Sequence, residues 1–219
     1  MGNRILLWRH GQTDWNVQNK FQGHTDIPLN AIGEIQINHA AQVLAPMKPT
    51  MLIASDLDRA KKTAQALANI TNHEVAIDAR LRETNCGKWE GLTADEIRAI
   101  DFEALKEWTM GGDNPAGTTG DRRSEVGARA RAAIEDALKG RDDELLVVAT
   151  HGGTARATIG SFLDLPVAHW SKIGGLSNAS WSVLTHTPKG WLLTEHNAGT
   201  IPEEVLGQDG GAVVPESVR

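Results

Sequence analysis

Short, nearly uninterrupted apolar runs recur along the chain at Asn3–Trp8, Thr50–Ala54, Glu74–Ile77 and Glu144–Thr150, each bounded by charged or small residues. Runs of this length without alternation predict strands covered on both faces, the pattern of a mainly parallel sheet. Between them apolar residues fall at helical spacing: Ala60, Ala64, Leu67 and Ala68; Val126, Ala130, Ala133, Ile134, Ala137 and Leu138; Ala155, Ile159, Phe162 and Leu163. Thr93 and Glu96 have the spacing at which a hydroxyl and a carboxylate each satisfy an orphan amide, which predicts a helix from there to about Ile100. Asn178–His186 and Gly190–His196, separated by Thr187-Pro188-Lys189, predict a late hairpin at a sheet edge. Strand alternating with helix predicts an α/β fold, a three-layer α/β/α sandwich with a mostly parallel central sheet. No linker divides the chain, so one domain is expected over residues 1–197, with a polar, partly disordered tail at 198–219. The glycine-rich stretch from Met110 to Gly120 reads as a flexible loop that covers a site.

Composition narrows the function. The 219 residues carry a net charge of −6, which argues against a general nucleic-acid binder, since such proteins present a basic face to phosphates. Cys86 is the one cysteine, so no disulfide forms within the chain and no cysteine cluster holds a metal. The longest apolar runs are too short for a membrane span or a signal peptide, and a cytoplasmic protein is expected. Self-association as a homodimer is left open.

The chemistry gathers at strand ends. Arg9-His10-Gly11 and His151-Gly152-Gly153 each follow a predicted buried strand directly. Ligands of open parallel sheets bind outside the carboxyl ends of the strands, so the two histidines are expected in one crevice. Arg59 follows the second strand and Glu83 the third. Two guanidinium forks suit the peripheral oxygens of a phosphate dianion, each charge pair contributing on the order of 4 kcal/mol before desolvation at about 4 Å and an effective dielectric near 20. A neutral imidazole held through its other nitrogen is a nucleophile near neutral pH, so one histidine can attack and the other can bind. The departing oxygen needs a proton, and Glu83 is the acid of this group without another role.

These residues also lie in longer motifs. Arg9-His10-Gly11-Gln12-Thr13-Asp14-Trp15-Asn16 resembles the signature of the histidine phosphatase superfamily, also called phosphoglycerate mutase-like. Ser55-Asp56-Leu57-Asp58-Arg59-Ala60, Leu81-Arg82-Glu83 with Gly87-Lys88-Trp89-Glu90-Gly91, and His151-Gly152-Gly153 follow in that family's order. The resemblance implies that His10 is the phosphorylated nucleophile and Glu83 the proton donor, with Arg9, Asn16, Arg59 and His151 holding phosphate. It implies neither metal nor cofactor, and a small phosphorylated molecule as substrate. Arg82-Glu83-Thr84-Asn85-Cys86-Gly87 and His151-Gly152-Gly153-Thr154 depart from the mutase pattern and favour hydrolysis. The stretch Gly174–Trp181 resembles an actinobacterial branch acting on glucosyl-3-phosphoglycerate, which points to a sugar phosphate or phosphoglycerate derivative. The alternatives are a cofactor-dependent phosphoglycerate mutase and a non-catalytic phospholigand-binding module. Asn114–Gly120 reads as an insertion, and Asp121 stands where many relatives have glutamate.

Other residues are expected to be structural. His24, His39, His73, His169, His186 and His196 read as surface or capped core residues, and Cys86 as a packing residue. Trp8 and Trp181 fit the core, whereas Trp89 and Trp108 are candidates to line the ligand. Arg59 could instead pair with Asp56 or Asp58, and Glu83 with Arg80 or Arg82. Arg122-Arg123 and Arg129 with Arg131 read as a solvated helix face, with a grip on a substrate carboxylate as the minor alternative.

Overall fold

The computed structural model describes residues 2–199, so nearly all of the expected tail lies outside the described residues. Strands β1 (Arg4–Arg9), β2 (Met51–Ala54), β3 (Val75–Ile77), β4 (Leu145–Thr150), β5 (Trp181–Thr187) and β6 (Gly190–Ala198) form one sheet in the order β3-β2-β4-β1-β5-β6. The first four are mutually parallel, and β5 and β6 run antiparallel at the edge as the hairpin pattern predicts. Helices α1 (Asp14–Val17), α2 (Ala31–Leu44), α3 (Asp58–Thr71), α4 (Ala94–Ile100), α5 (Phe102–Thr109), α6 (Arg123–Leu138) and α7 (Gly152–Phe162) complete the chain.

Side-chain alternation along the strands explains the layers. Leu6, Trp8, Leu52 and Val147 face α2 and α3, whereas Ile5, Leu7, Ile53, Leu146 and Val148 face α6 and α7. Ile5, Leu6, Leu7 and Trp8 are all fully buried, each contributing roughly 1.5–3 kcal/mol. The result is the α/β/α sandwich that the sequence predicts. β3 differs: as an edge strand it leaves Ile77 50% exposed, so it is not covered on both faces. No helix among the described residues is long and apolar enough to cross a membrane.

Two helices escape the apolar pattern. α2 lies outside the apolar stripes picked out along the sequence, and its N-terminal half docks on the loop after β1: Gln12 N–H donates to Gln36 Oε1 at 2.8 Å, and Asn30 caps the helix by accepting from Gly33 N–H. A Cβ at Gly33 would stand 2.1 Å from the Gln12 carbonyl oxygen, so only glycine permits this close crossing. α5 packs Leu105 into a small separate core with Cys86, Trp89, Ile97 and Ala116. Trp89 is therefore a core residue, 1% exposed and edge-on to Phe21 and Trp108, and it does not line a ligand.

The 110–120 stretch is not a loose loop. Ala116 N–H donates to Asp121 O, Gly120 N–H to Ala116 O and Asp121 N–H to Asn85 O, while Asp113 accepts from Ser124 N and Oγ. Gly117 has φ +53° and lies so near the Cys86 carbonyl that a Cβ would approach it to 2.2 Å. Glycine here lets the segment pack directly on the turn after Glu83.

Candidate active site

β1 and β4 are neighbours in the sheet, with Arg9 opposite Thr150, so the residues that follow each strand emerge side by side. The rings of His10 and His151 lie 5.2 Å apart between centroids. His10 Nδ1 is 2.7 Å from the Gly11 carbonyl oxygen. A carbonyl can only accept, so Nδ1 carries the proton and Nε2 keeps its lone pair. Burial, then the charges of Arg59 and Arg9, hold the His10 pKa well below its ordinary value of 6.5. The imidazole is therefore neutral in the unliganded site.

Arg59 starts the second turn of contacts. It is fully buried near the start of α3, and its Nη1 and Nη2 donate to the Thr25 and Gly23 carbonyls, both at 2.9 Å, while Nε donates to His151 Nδ1 at 3.2 Å. His151 Nε2 then donates to Ser55 Oγ at 2.9 Å. Both ring nitrogens of His151 are thus engaged by protein, and a phosphate contact there exchanges one of these bonds. The loop that receives Arg59 is itself fixed by Glu90, which accepts from His24 N, Thr25 N, Thr25 Oγ1 and Cys86 N. Asp56 pairs with Arg82 and Asp58 with Lys62, so the surface ion pairs weighed for Arg59 do not form, and its one acidic contact among the described residues is a long one, 3.9 Å from Nη1 to Asp26.

Glu83 lies against the N-terminus of α7. Oε1 accepts from Thr84 N at 2.7 Å, Thr154 N at 3.0 Å and Thr154 Oγ1 at 3.2 Å, and Oε2 from Gly153 N at 3.0 Å. Oε2, with a single partner, is the oxygen with capacity for a further bond. Arg80 pairs with Asp78 and Asp136, and Arg82 with Asp56, which leaves Glu83 outside any ion pair with its sequence neighbours. Asn16, buried beside the loop, uses Oδ1 to accept from Thr13 N, Thr13 Oγ1 and Asn178 Nδ2, so its amide nitrogen is the end left to donate to a ligand. Arg9 is also buried, with Nη1 donating to the Leu176 carbonyl.

The profile of the histidine phosphatase superfamily (branch 1) matches residues 5–199. The chain belongs to the histidine phosphatase superfamily. Among its relatives, a glucosyl-3-phosphoglycerate phosphatase of Mycobacterium tuberculosis is 39% identical over 191 residues, covering 83% of this chain and 85% of the relative. A Serratia proteamaculans protein named "Probable phosphoglycerate mutase GpmB" is 33% identical over 189 residues, covering 86% of this chain and 87% of the relative. The solved structure of a mycobacterial glucosyl-3-phosphoglycerate phosphatase complexed with VO3 superposes with a TM-score of 0.85 at 37% identity, covering 90% of this chain and 99% of that one.

Within this family fold, several side chains differ from their sequence reading. Arg129 is not solvated: Nη1 donates to the Arg80 and Arg82 carbonyls, and Nη2 to the Glu83 carbonyl and to Asp121. It fixes the backbone that carries Glu83. Arg123 is likewise half-buried, with its guanidinium 3.8 Å from the Trp108 ring centroid. Arg131 does lie at the surface, paired with Glu135 and Asp164. His24 caps the Glu83 carbonyl through Nε2 at 2.9 Å. Asn178, absent from the sequence candidates, donates through Nδ2 to the His10 and Gly11 carbonyls, tying the segment before β5 to the loop that carries His10. Ser55, Thr154 and Arg156 were also missed.

The two buried histidines set a pH dependence. Both have pKa values held well below 6.5, His151 by burial and then by Arg59, so the unfolded chain binds more protons than the folded one below that pH. Their contribution is complete above about pH 6.5 and is lost progressively as pH falls below it. Urea midpoints measured at pH 7.5 and 5.5 are expected to show a smaller acid loss for His10→Asn than for the unmodified chain.

Proposed function

We propose that the chain hydrolyses a phosphomonoester of the phosphoglycerate class through a phosphohistidine on His10. The observation that carries this reading is the neutral His10 ring, tied at Nδ1 to Gly11 and lying among Arg9, Arg59 and His151. His10 Nε2 attacks phosphorus as the ester P–O bond breaks, and Glu83 gives its proton to the leaving oxygen. Water then attacks phosphorus, the N–P bond breaks, and Glu83 takes the proton from water. Arg9, Asn16, Arg59 and His151 hold the peripheral oxygens, and their charge complements the transition state without a metal. A phosphoglycerate derivative such as glucosyl-3-phosphoglycerate is the favoured substrate, supported by the relatives that carry that name. Cytoplasmic residence is the reading that fits a sequence whose one cysteine, Cys86, is a buried free thiol with no second cysteine to pair with.

The test is phosphate release from a panel of sugar phosphates and phosphoglycerate derivatives in the presence of a chelator. Hydrolysis of the glycerate compounds with the highest kcat/KM is expected. Isomerisation of phosphoglycerate that depends on 2,3-bisphosphoglycerate and outpaces phosphate release would replace this reading with a mutase. No release from any compound, aryl phosphates included, would leave a binding module.

A further inference from the structure

Beside Glu83 is a second cationic cleft. It is lined by Thr84, Trp108, Arg123, Gly153, Arg156 and Ala157, with Trp170 at its base. Thr84 and Gly153 also give amide hydrogen bonds to the Glu83 carboxylate, so the cleft adjoins that carboxylate. Its volume is about 20 Å³, room for one or two water-sized atoms such as a carboxylate oxygen and far too little for a sugar ring.

The two arginines in it are unusual in their partners. Arg123 donates Nη2 to the Trp108 carbonyl at 2.7 Å and stacks on that indole. Arg123 Nε and Arg156 Nε are both buried with no hydrogen-bond partner, and the acids whose charge reaches them, Asp113 for Arg123 and Glu83 for Arg156, form no direct ion pair with them among the described residues. Arg156 adds its charge to that of Arg123, and burial together with that repulsion holds Arg123 down to about 10, still protonated at neutral pH. Elsewhere on this chain the arginines Arg80, Arg82, Arg129 and Arg131 all have acidic partners. Two half-buried guanidiniums with like charge and open donors are destabilising by themselves and are stabilised by an anion between them.

We infer that Arg123 and Arg156, backed by Trp108, form a carboxylate subsite that recognises the acid group of the leaving alcohol. This rests on the phosphatase reading and adds its specificity. The cleft adjoins the group that protonates the departing oxygen, so it meets the leaving alcohol and not the transferred phosphoryl group. In a 3-phosphoglycerate unit the carboxylate is two carbons beyond the ester carbon, within reach of a cleft bordering Glu83. Any larger substituent on the glycerate then points away from this small cleft.

The test compares kcat/KM of the unmodified chain for 3-phosphoglycerate, its carboxyl methyl ester and glycerol 3-phosphate, with an aryl phosphate as reference. The acid is expected to exceed both neutral analogues by about 100-fold. In Arg156→Gln and Arg123→Gln the ratio of acid to ester is expected to collapse to within about 5-fold. Equal use of acid and ester by the unmodified chain overturns the inference, as it would if the cleft held a free inorganic anion. Survival of the full ratio in both variants overturns it too. Lack of discrimination in the unmodified chain with aryl phosphate turnover intact sinks only the subsite, whereas absence of all turnover sinks the phosphatase reading beneath it.

Discussion

Replacing His10 by alanine is expected to lower kcat by about 10⁵-fold or more with every phosphomonoester, because no other side chain offers an unprotonated nitrogen at that place. Rapid quenching of the unmodified chain with labelled substrate is expected to trap acid-labile, base-stable phosphate on position 10, and none in the variant. The His10 Nδ1 bond to Gly11 also predicts that His10→Gln, which fills part of the volume, restores folding but not turnover. A His10→Ala variant with near-normal kcat would dispose of the covalent route.

Glu83→Gln is expected to give the second largest loss, about 10²–10⁴-fold in kcat/KM for alkyl phosphates. Aryl phosphates have leaving groups that depart as anions, so their loss is expected to be at least ten times smaller. The Glu83 oxygens accept two amides of α7 and one of Thr84, and glutamine keeps one acceptor oxygen for them, so the loss reports chemistry more than collapse of the loop. Measured side by side, equal losses for alkyl and aryl esters would remove Glu83 from the proton-donor role.

Much of this site is legible from strand-end placement. Short apolar runs identify β1 and β4, and the residues directly after a buried parallel strand face the crevice, so His10 and His151 could be paired before any coordinates. The same logic reaches Arg59 and Glu83. It fails where burial is decided by something else in the chain. Arg129 looks like part of a charged helix face, and only the course of residues 80–83 beneath it, with three carbonyls aimed at its guanidinium, shows that it is structural. Arg156 follows Ala155 of the apolar stripe of α7 and carries no signal in the sequence, yet it borders a cleft that Arg123 and Trp108 also line. Trp89 misleads in the opposite sense. An aromatic next to the acid motif suggests ligand contact, whereas Phe21, Ile97 and Leu105 enclose it. In α2, Gln36 stands among Ile32, Ile35 and Ile37 and breaks the apolar stripe, because its side chain accepts from Gln12 in the loop after β1 and does not face solvent.

The strand order has a consequence for how activity is acquired. β4 lies between β1 and β2, so the middle of the sheet is filled by the fourth strand of the chain to be made. Until residues 145–150 insert there, β1 has no parallel neighbour, His10 has no His151 beside it and Arg59 Nε lacks its imidazole acceptor. Closing so long a loop is entropically slow, which makes this insertion a late event in folding. Catalytic competence therefore waits on β4, and recovered turnover after dilution from denaturant is expected to report its insertion between β1 and β2.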